Sequence, residues 1–345
     1  MFKVLGEAVA KFQADYPGEA FWGLRTIWST MRDQGPRPII EDADDCLATK
    51  LAFPQLVAGY DLAGSEIVGR PIVDLLPELF WFRKQCALEG VNIPFFFRAA
   101  ECGVSDTAEG NIFDAMLLGS RRIGNPLTLH KHPGLVETIR TKRILIECSP
   151  VSGTGTVDLN HAFPALLAQG VSCVLCHDNS GMLSGSGHDV GRPMTNIFWQ
   201  TLQAWEGIDL ATLGSLAENS VRWAAFEDQD PDTWYVHTTH PFFFTFAHLC
   251  CVMVQISLPT GHCPRGLRPQ NPGEILRNGR LADIKFLSFR LRTVREASTG
   301  TGVKAARLRS WAVEWEQFCL WVVTEYGETS GDGAGSIEDR ARAAV

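Results

Sequence analysis

Short apolar runs with few polar interruptions recur along the chain, at 22-WGLRTIW-28, 56-LVAGYDL-62, 93-IPFFFR-98, 143-RILIEC-148 and 171-VSCVLC-176, with a weaker one at 121-RRIG-124. Between them stand segments with helical spacing: 43-ADDCLATKLAF-53, 75-LLPELFWFRKQCALE-89, 110-GNIFDAMLLG-119, 134-GLVETIRTK-142 and 162-AFPALLAQG-170. Strand followed by helix, repeated, predicts parallel strands joined by crossovers and so an α/β fold. Runs that are apolar throughout, not alternating, belong to a parallel sheet covered on both faces. The polar residues collect where each run ends: Asp61 and Glu66, Arg98 and Glu101, Asn125, Glu147, His177 and Asp178. A (β/α) barrel or an open doubly wound sheet builds its site at those carboxyl ends.

Composition narrows the partners. The net charge is −8 and no Lys/Arg stripe interrupts it, which excludes the electrostatic footprint of nucleic acid or anionic lipid. Ten cysteines sit at irregular spacings, several inside apolar runs where a thiol acts as a small hydrophobe. That usage predicts a reducing compartment and not a disulfide framework. The first residues, 1-MFKVLGEAVAKFQADYPGEAF-21, have a helical pattern and lack the apolar core of a signal peptide, so a cytoplasmic location is expected of the chain as written.

The organisation divides into four parts. Residues 1–230 carry the strand–helix alternation, and 231–300 read as an irregular insertion with the loop 259-PTGHCPRGLRPQNPGE-274. Residues 301–326 predict a closing helix on the barrel, and 327–345 a disordered Gly/Ser/acidic tail. Within the insertion, 242-FFFTFAHLCCVMVQISL-258 is close to the lower limit for a membrane span, but it carries His248 and Gln255 and lacks basic flanks, so no membrane segment is expected. The stretch 235–283 has the look of a retained intron or a misplaced exon boundary.

The motifs suggest a family. The segment 58-AGYDLAGSE-66 resembles the Gly-Phe-Asp-Leu-Ala-Gly-x-Glu strand of the metal-dependent adenosine deaminases, particularly the adenosine-deaminase-related growth factor branch. In the same order, 95-FFFRAAE-101 resembles Phe-Phe-Phe-His-Ala-Gly-Glu, and 117-LLGSRRIGNPLTLHKHPGL-135 resembles Leu-Leu-Gly-x-x-Arg-Ile-Gly-His-Gly with a later His-Pro. Further on, 146-IECSPVSG-153 resembles Glu-x-Cys-Pro-x-Ser-Asn, and 175-LCHDNSGML-183 resembles Ser-Ser-Asp-Asp-Pro-Gly-Met. The resemblance implies a TIM barrel of the (β/α)8 type with strands three to eight recognisable and the first two missing, and by lineage a purine aminohydrolase.

It also implies what should stand where. The family holds zinc through a His-x-His pair, the His of His-Ala-Gly-Glu and the first Asp of Asp-Asp, while that Glu and the His of Gly-His-Gly move protons. Here the zinc His is Arg98 and the catalytic His is Asn125, followed by Pro126. Glu101 and Asp178 are kept, with Gly64 as a backbone contact for substrate and Asn179 in place of the second Asp. Asp178 is then the only family metal ligand, and no resident zinc is expected. Arg98, a permanent cation with no lone pair, either neutralises Glu101 and Asp178 or contacts a substrate anion. The expected function is that of an adenosine-deaminase-like protein inactive or altered in deamination, taking a purine nucleoside or other small ring ligand. Two alternatives remain: a metal-free enzyme using Glu101 and Asp178 as acid and base, and an active zinc enzyme with ligands from outside the family pattern. Missing strands would leave open edges and favour self-association.

Other histidines and cysteines compete for attention. Cys176 and His177 are neighbours and cannot both face one site while the strand continues, so Cys176 reads as core. His130 and His132 have ligand-like spacing, but their place before Pro133 reads as loop or helix start. His237, His240, His248 and Cys263 match no compact Cys/His module.

Overall fold

The computed structural model of the protein describes residues 1–17, 21, 23–100, 106–151, 157–176, 193–229 and 302–326. The anticipated insertion and the tail lie outside these residues. An N-terminal helix, α1 (Phe2–Asp15), is followed by β1 (Thr26–Met31), α2 (Pro36–Ala52), β2 (Val57–Ala63), α3 (Leu76–Leu88), β3 (Phe96–Arg98) and α4 (Asp106–Leu117). Then come β4 (Arg122–Gly124), α5 (Pro133–Lys142), β5 (Leu145–Cys148), α6 (Phe163–Ala168), β6 (Cys173–Leu175), α7 (Pro193–Ala204) and α8 (Leu210–Arg222), and finally a closing helix, Val303–Tyr326.

The fold is α/β with parallel strands. β1 pairs with β2, and β3 to β6 form a second ladder in chain order, every pairing parallel. A parallel bridge between Tyr60 and Phe95, with the Tyr60 N–H on the Pro94 carbonyl at 2.9 Å, joins the two parts. Strands follow one another without a reversal of order, as in a (β/α) barrel, whereas a doubly wound sheet turns back at a switch point. Gly59 permits the join, because a Cβ there would lie 2.3 Å from the Phe96 ring.

Local chemistry sets the helix ends. Proline opens α2, α3, α5 and α6 within their first two positions, where a missing N–H costs nothing. Asp209 caps α8 by accepting from the Thr212 N–H at 2.7 Å. α5 stops at Arg143, which takes the left-handed conformation, φ 55°. The main core lies between strands and helices, where Tyr60, Leu62, Phe95, Phe97, Ile123 and Ile146 meet Leu47, Leu79, Phe82 and Ile139.

The first strand departs from expectation. It was read at 22–28 and runs from Thr26 to Met31. Gly23 has φ 104°, outside the β region, and Arg25 is held away from the ladder. Its guanidinium donates to the carbonyls of Gln55, Val57 and Ala225 at 3.0, 2.9 and 2.9 Å and to Asp228 at 2.6 Å.

Those last partners belong to a strap, residues 223–229, that follows α8 and crosses the amino ends of the strands. Trp223, fully buried, packs on Leu145, Val174 and Cys176. Its indole N–H donates to the Arg143 carbonyl at 3.1 Å and its own carbonyl accepts from Arg122 at 3.2 Å. Asp228 takes both Arg25 and Lys50, and the Gln229 carbonyl takes Arg121 at 2.7 Å. Lys304 of the closing helix reaches the Gln229 side chain at 2.6 Å, and that helix packs Trp315 over Gly214 of α8, where a Cβ would sit 2.7 Å from the ring. Replacing Trp223 by Ala should therefore lower stability by about 3–5 kcal/mol, read from the urea midpoint. An unchanged midpoint would mean that the strap does not fill the strand interior.

Candidate functional site

At the carboxyl ends of the strands a buried charge pair organises the backbone. Arg32, which follows β1, lies 3.7 Å from Glu66, and both side chains are buried. The same Glu66 oxygen accepts from the Ala100 N–H at 3.0 Å and from Asn111 of α4 at 2.7 Å, while Asn111 accepts from the Ile72 N–H at 2.7 Å. Arg32 also donates to the Arg98 carbonyl at 3.4 Å. Gly64 turns the chain between β2 and Glu66 at φ 97°, with Arg32 against it. Ala100 leaves β3 at φ 57°, a conformation that costs an L-residue roughly 1–2 kcal/mol, and the Glu66 hydrogen bond holds it there.

The interior face of the strands carries charge. Arg98, Gly124 and Glu147 stand in register across β3, β4 and β5. Gly124 leaves the space between its neighbours open: a Cβ there would be 3.1 Å from Arg98 Cγ and 3.6 Å from a Glu147 carboxylate oxygen. One residue pair nearer the amino ends, Arg122 binds Glu147 at 2.8 Å and lies over the Phe96 ring at 4.1 Å. On β2, Asp61 completes the set. Burial raises its carboxyl to about 6, opposed by the Leu62 N–H and by Arg98, and helped by the negative charge of Glu147.

Asn125 follows directly, at φ 48°, in the left-handed region that asparagine tolerates better than most residues. Its N–H donates to the Glu147 carbonyl at 2.7 Å. Its side-chain oxygen accepts from His161 Nε2 at 3.0 Å and, more weakly, from the Ser149 N–H at 3.4 Å. The Leu127 N–H returns to the Ala100 carbonyl at 3.1 Å, tying the β4 loop to the end of β3.

Of the residues anticipated from sequence, Gly64, Arg98 and Asn125 are thus gathered at one end of the strands. Glu101, Asp178, Asn179 and His177 lie outside the described residues, as do His237, His240, His248 and Cys263. His130 lies in a short 3-10 turn and His132 precedes α5, bound to Glu109 at 2.7 Å, which is the loop and helix-start reading. Cys176 packs against Leu145, Val174 and Trp223 as core. Arg32, Arg122 and His161 were missed. Arg32 follows its strand just as the other polar residues do, and a correctly placed β1 would have exposed it. Among the described residues no three His, Cys, Asp or Glu side chains are grouped to hold a metal, and no helix is long and apolar enough to cross a membrane.

Comparison with known proteins agrees with the motifs. Adenosine deaminase 2 of Sus scrofa is 31% identical over 239 residues, which cover 66% of this chain and 44% of the relative. The Homo sapiens protein is 30% identical over 239 residues, covering 67% and 44%, and adenosine deaminase 2-A of Danio rerio is 28% identical over 233 residues, covering 65% and 43%. Over this segment the chain is a relative of the adenosine deaminases, of the adenosine-deaminase-related growth factor kind. It spans less than half the length of the curated relatives it matches. No family model matches. Among solved structures, adenine deaminase from Arthrobacter aurescens aligns with a TM-score of 0.48 at 18% identity, covering 72% of this chain and 66% of that one.

The Asp61 shift sets a pH dependence. A carboxyl that keeps its proton in the fold up to about 6 contributes stability in full below the unfolded pKa and loses it as pH rises through that value. Asp61→Asn preserves the acceptor for the Leu62 N–H and removes the ionisation. It should raise the melting temperature near about pH 8 and leave it nearly unchanged near about pH 4. An equal shift at both pH values would show that Asp61 ionises freely.

Proposed function

We propose that the protein binds a purine nucleoside, or a small ring ligand of that kind, at the carboxyl ends of its strands without performing zinc-assisted deamination. One observation carries the reading. Arg98 stands where the family resemblance puts a zinc histidine, and the Asp61 and Glu147 carboxylates act electrostatically on the same interior space. A guanidinium has no lone pair for a metal and repels a dication. Of the two family ligand positions that this segment spans, one is Arg98, which cannot bind zinc, and Asp178 keeps its type. A guanidinium at a ligand position does not fit the ion. Gly64, Arg98 and Asn179 are then the ligand contacts, and Glu101, Asp178 and Asn125 occupy the former catalytic positions.

A second, metal-free enzymatic reading is favoured by the Asp61 carboxyl, which at about 6 both gives and takes a proton near neutrality. In that reading Glu101 and Asp178 supply the rest of the acid–base set.

Zinc should be well below one per chain in protein purified without chelator, adenosine should not be converted to inosine, and Arg98→His alone should restore neither. A purine nucleoside should nevertheless raise the melting temperature, since a ligand that binds only the fold stabilises it. Zinc near one per chain, abolished by Asp178→Ala, would return the deaminase reading to first place.

Self-association belongs to the same proposal. Among the described residues β1 is hydrogen-bonded to β2 alone, and a strand with one unpaired edge can pair with a second copy. Light scattering should show a mass that grows with concentration, and a constant monomer mass would remove this part.

A further inference from the structure

His161 is buried beside the position of the family's catalytic histidine, and its hydrogen bonds determine its tautomer. Its Nδ1 accepts from the Phe163 N–H at 3.0 Å. A backbone amide can only donate, so in the neutral ring the proton sits on Nε2 and is given to Asn125 Oδ1. The Ser149 N–H, also an obligate donor, approaches the same oxygen. With the oxygen taken from both sides, the Asn125 amide cannot turn over without setting its NH2 against two donors. Burial holds His161 below its ordinary pKa, with Asp158 acting in the opposite sense, which keeps the ring neutral. Among the described residues no acceptor meets the Asn125 NH2 group, and the side chain is half-buried at the strand ends.

We propose that His161 is a positioning residue that locks the Asn125 amide with its NH2 toward the ligand, so that the site selects 6-oxopurine nucleosides over 6-aminopurine nucleosides. This rests on the purine reading above and names the ligand class within it. Both purine types present an acceptor at N7, but a 6-oxopurine adds an acceptor at O6 where a 6-aminopurine presents a donor. Asn125 in this orientation offers only a donor, and Arg98 at the end of the neighbouring strand is also a donor-only group. An adenosine amine turned toward them would leave donors facing donors, and such a mismatch costs more than a missing contact.

Two measurements on the full chain test the lock and the ligand class separately. Nitrogen NMR of histidine-labelled protein without ligand should show His161 as the Nε2–H tautomer near neutral pH. Calorimetry with inosine and adenosine should show inosine bound tighter by about tenfold or more. His161→Leu, verified as folded by circular dichroism, should bring the ratio toward one. His161→Gln, whose amide can both accept and donate, should restore part of it, and Asn125→Asp, an acceptor, should shift preference to adenosine. An Nδ1–H tautomer or a charged ring near neutrality overturns the lock. An unchanged ratio in folded His161→Leu overturns the positioning role, and equal binding by the unaltered protein overturns the ligand class. If neither nucleoside binds, the purine reading falls and the ligand class with it, while the tautomer still decides the lock.

Discussion

The Arg32–Glu66 pair is the constraint on which the strand ends depend. Removing two charges from water is costly, and a buried pair is tolerated only when further hydrogen bonds satisfy it. Here those bonds come from backbone and side chains on separate elements, so the cost of burial is offset by fixing the exit of β1, the loop after β2, the end of β3 and the middle of α4 relative to one another. Losing either partner would leave an uncompensated charge where Ala100 must hold a left-handed conformation. The conformation of Ala100 at the exit of β3 is therefore decided by residues that follow the first two strands.

Inside the strands the described charges are distributed. Two guanidiniums interleaved with two carboxylates, Arg98 and Arg122 with Asp61 and Glu147, spread the charge over several strands. The raised carboxyl of Asp61 shows that the compensation is partial.

Much of this was legible in the amino-acid order. Apolar runs located the strands, because parallel strands covered on both faces must be apolar throughout, and helical spacing located α1 to α6 and the closing helix, whereas α7 and α8 were not read. Gly64, Arg98 and Asn125 came from motif position, and the structure gathers them. The register of the first strand was not legible: aromatic residues before Thr26 imitate strand pattern, and only the distant partners of Arg25 draw it away. His161 was invisible for a different reason. It sits in a loop beyond β5 with no periodicity, and its role arises from a tautomer fixed by the backbone of Phe163.

The strap bears on how the molecule is made. Its contacts link residues far apart in the chain, Arg25 to Ala225 at a separation of 200 and Arg121 to Gln229 at 108. Contacts of that span are slow to form, because the entropy of closing the loop is lost before the contact returns anything. During synthesis from the amino end, the six described strands all leave the ribosome before Trp223 exists to fill the space beneath β5 and β6. The growing chain thus carries Leu145, Val174 and Cys176 uncovered until the last part of the α/β unit arrives. That interval is when a chaperone has most to shield.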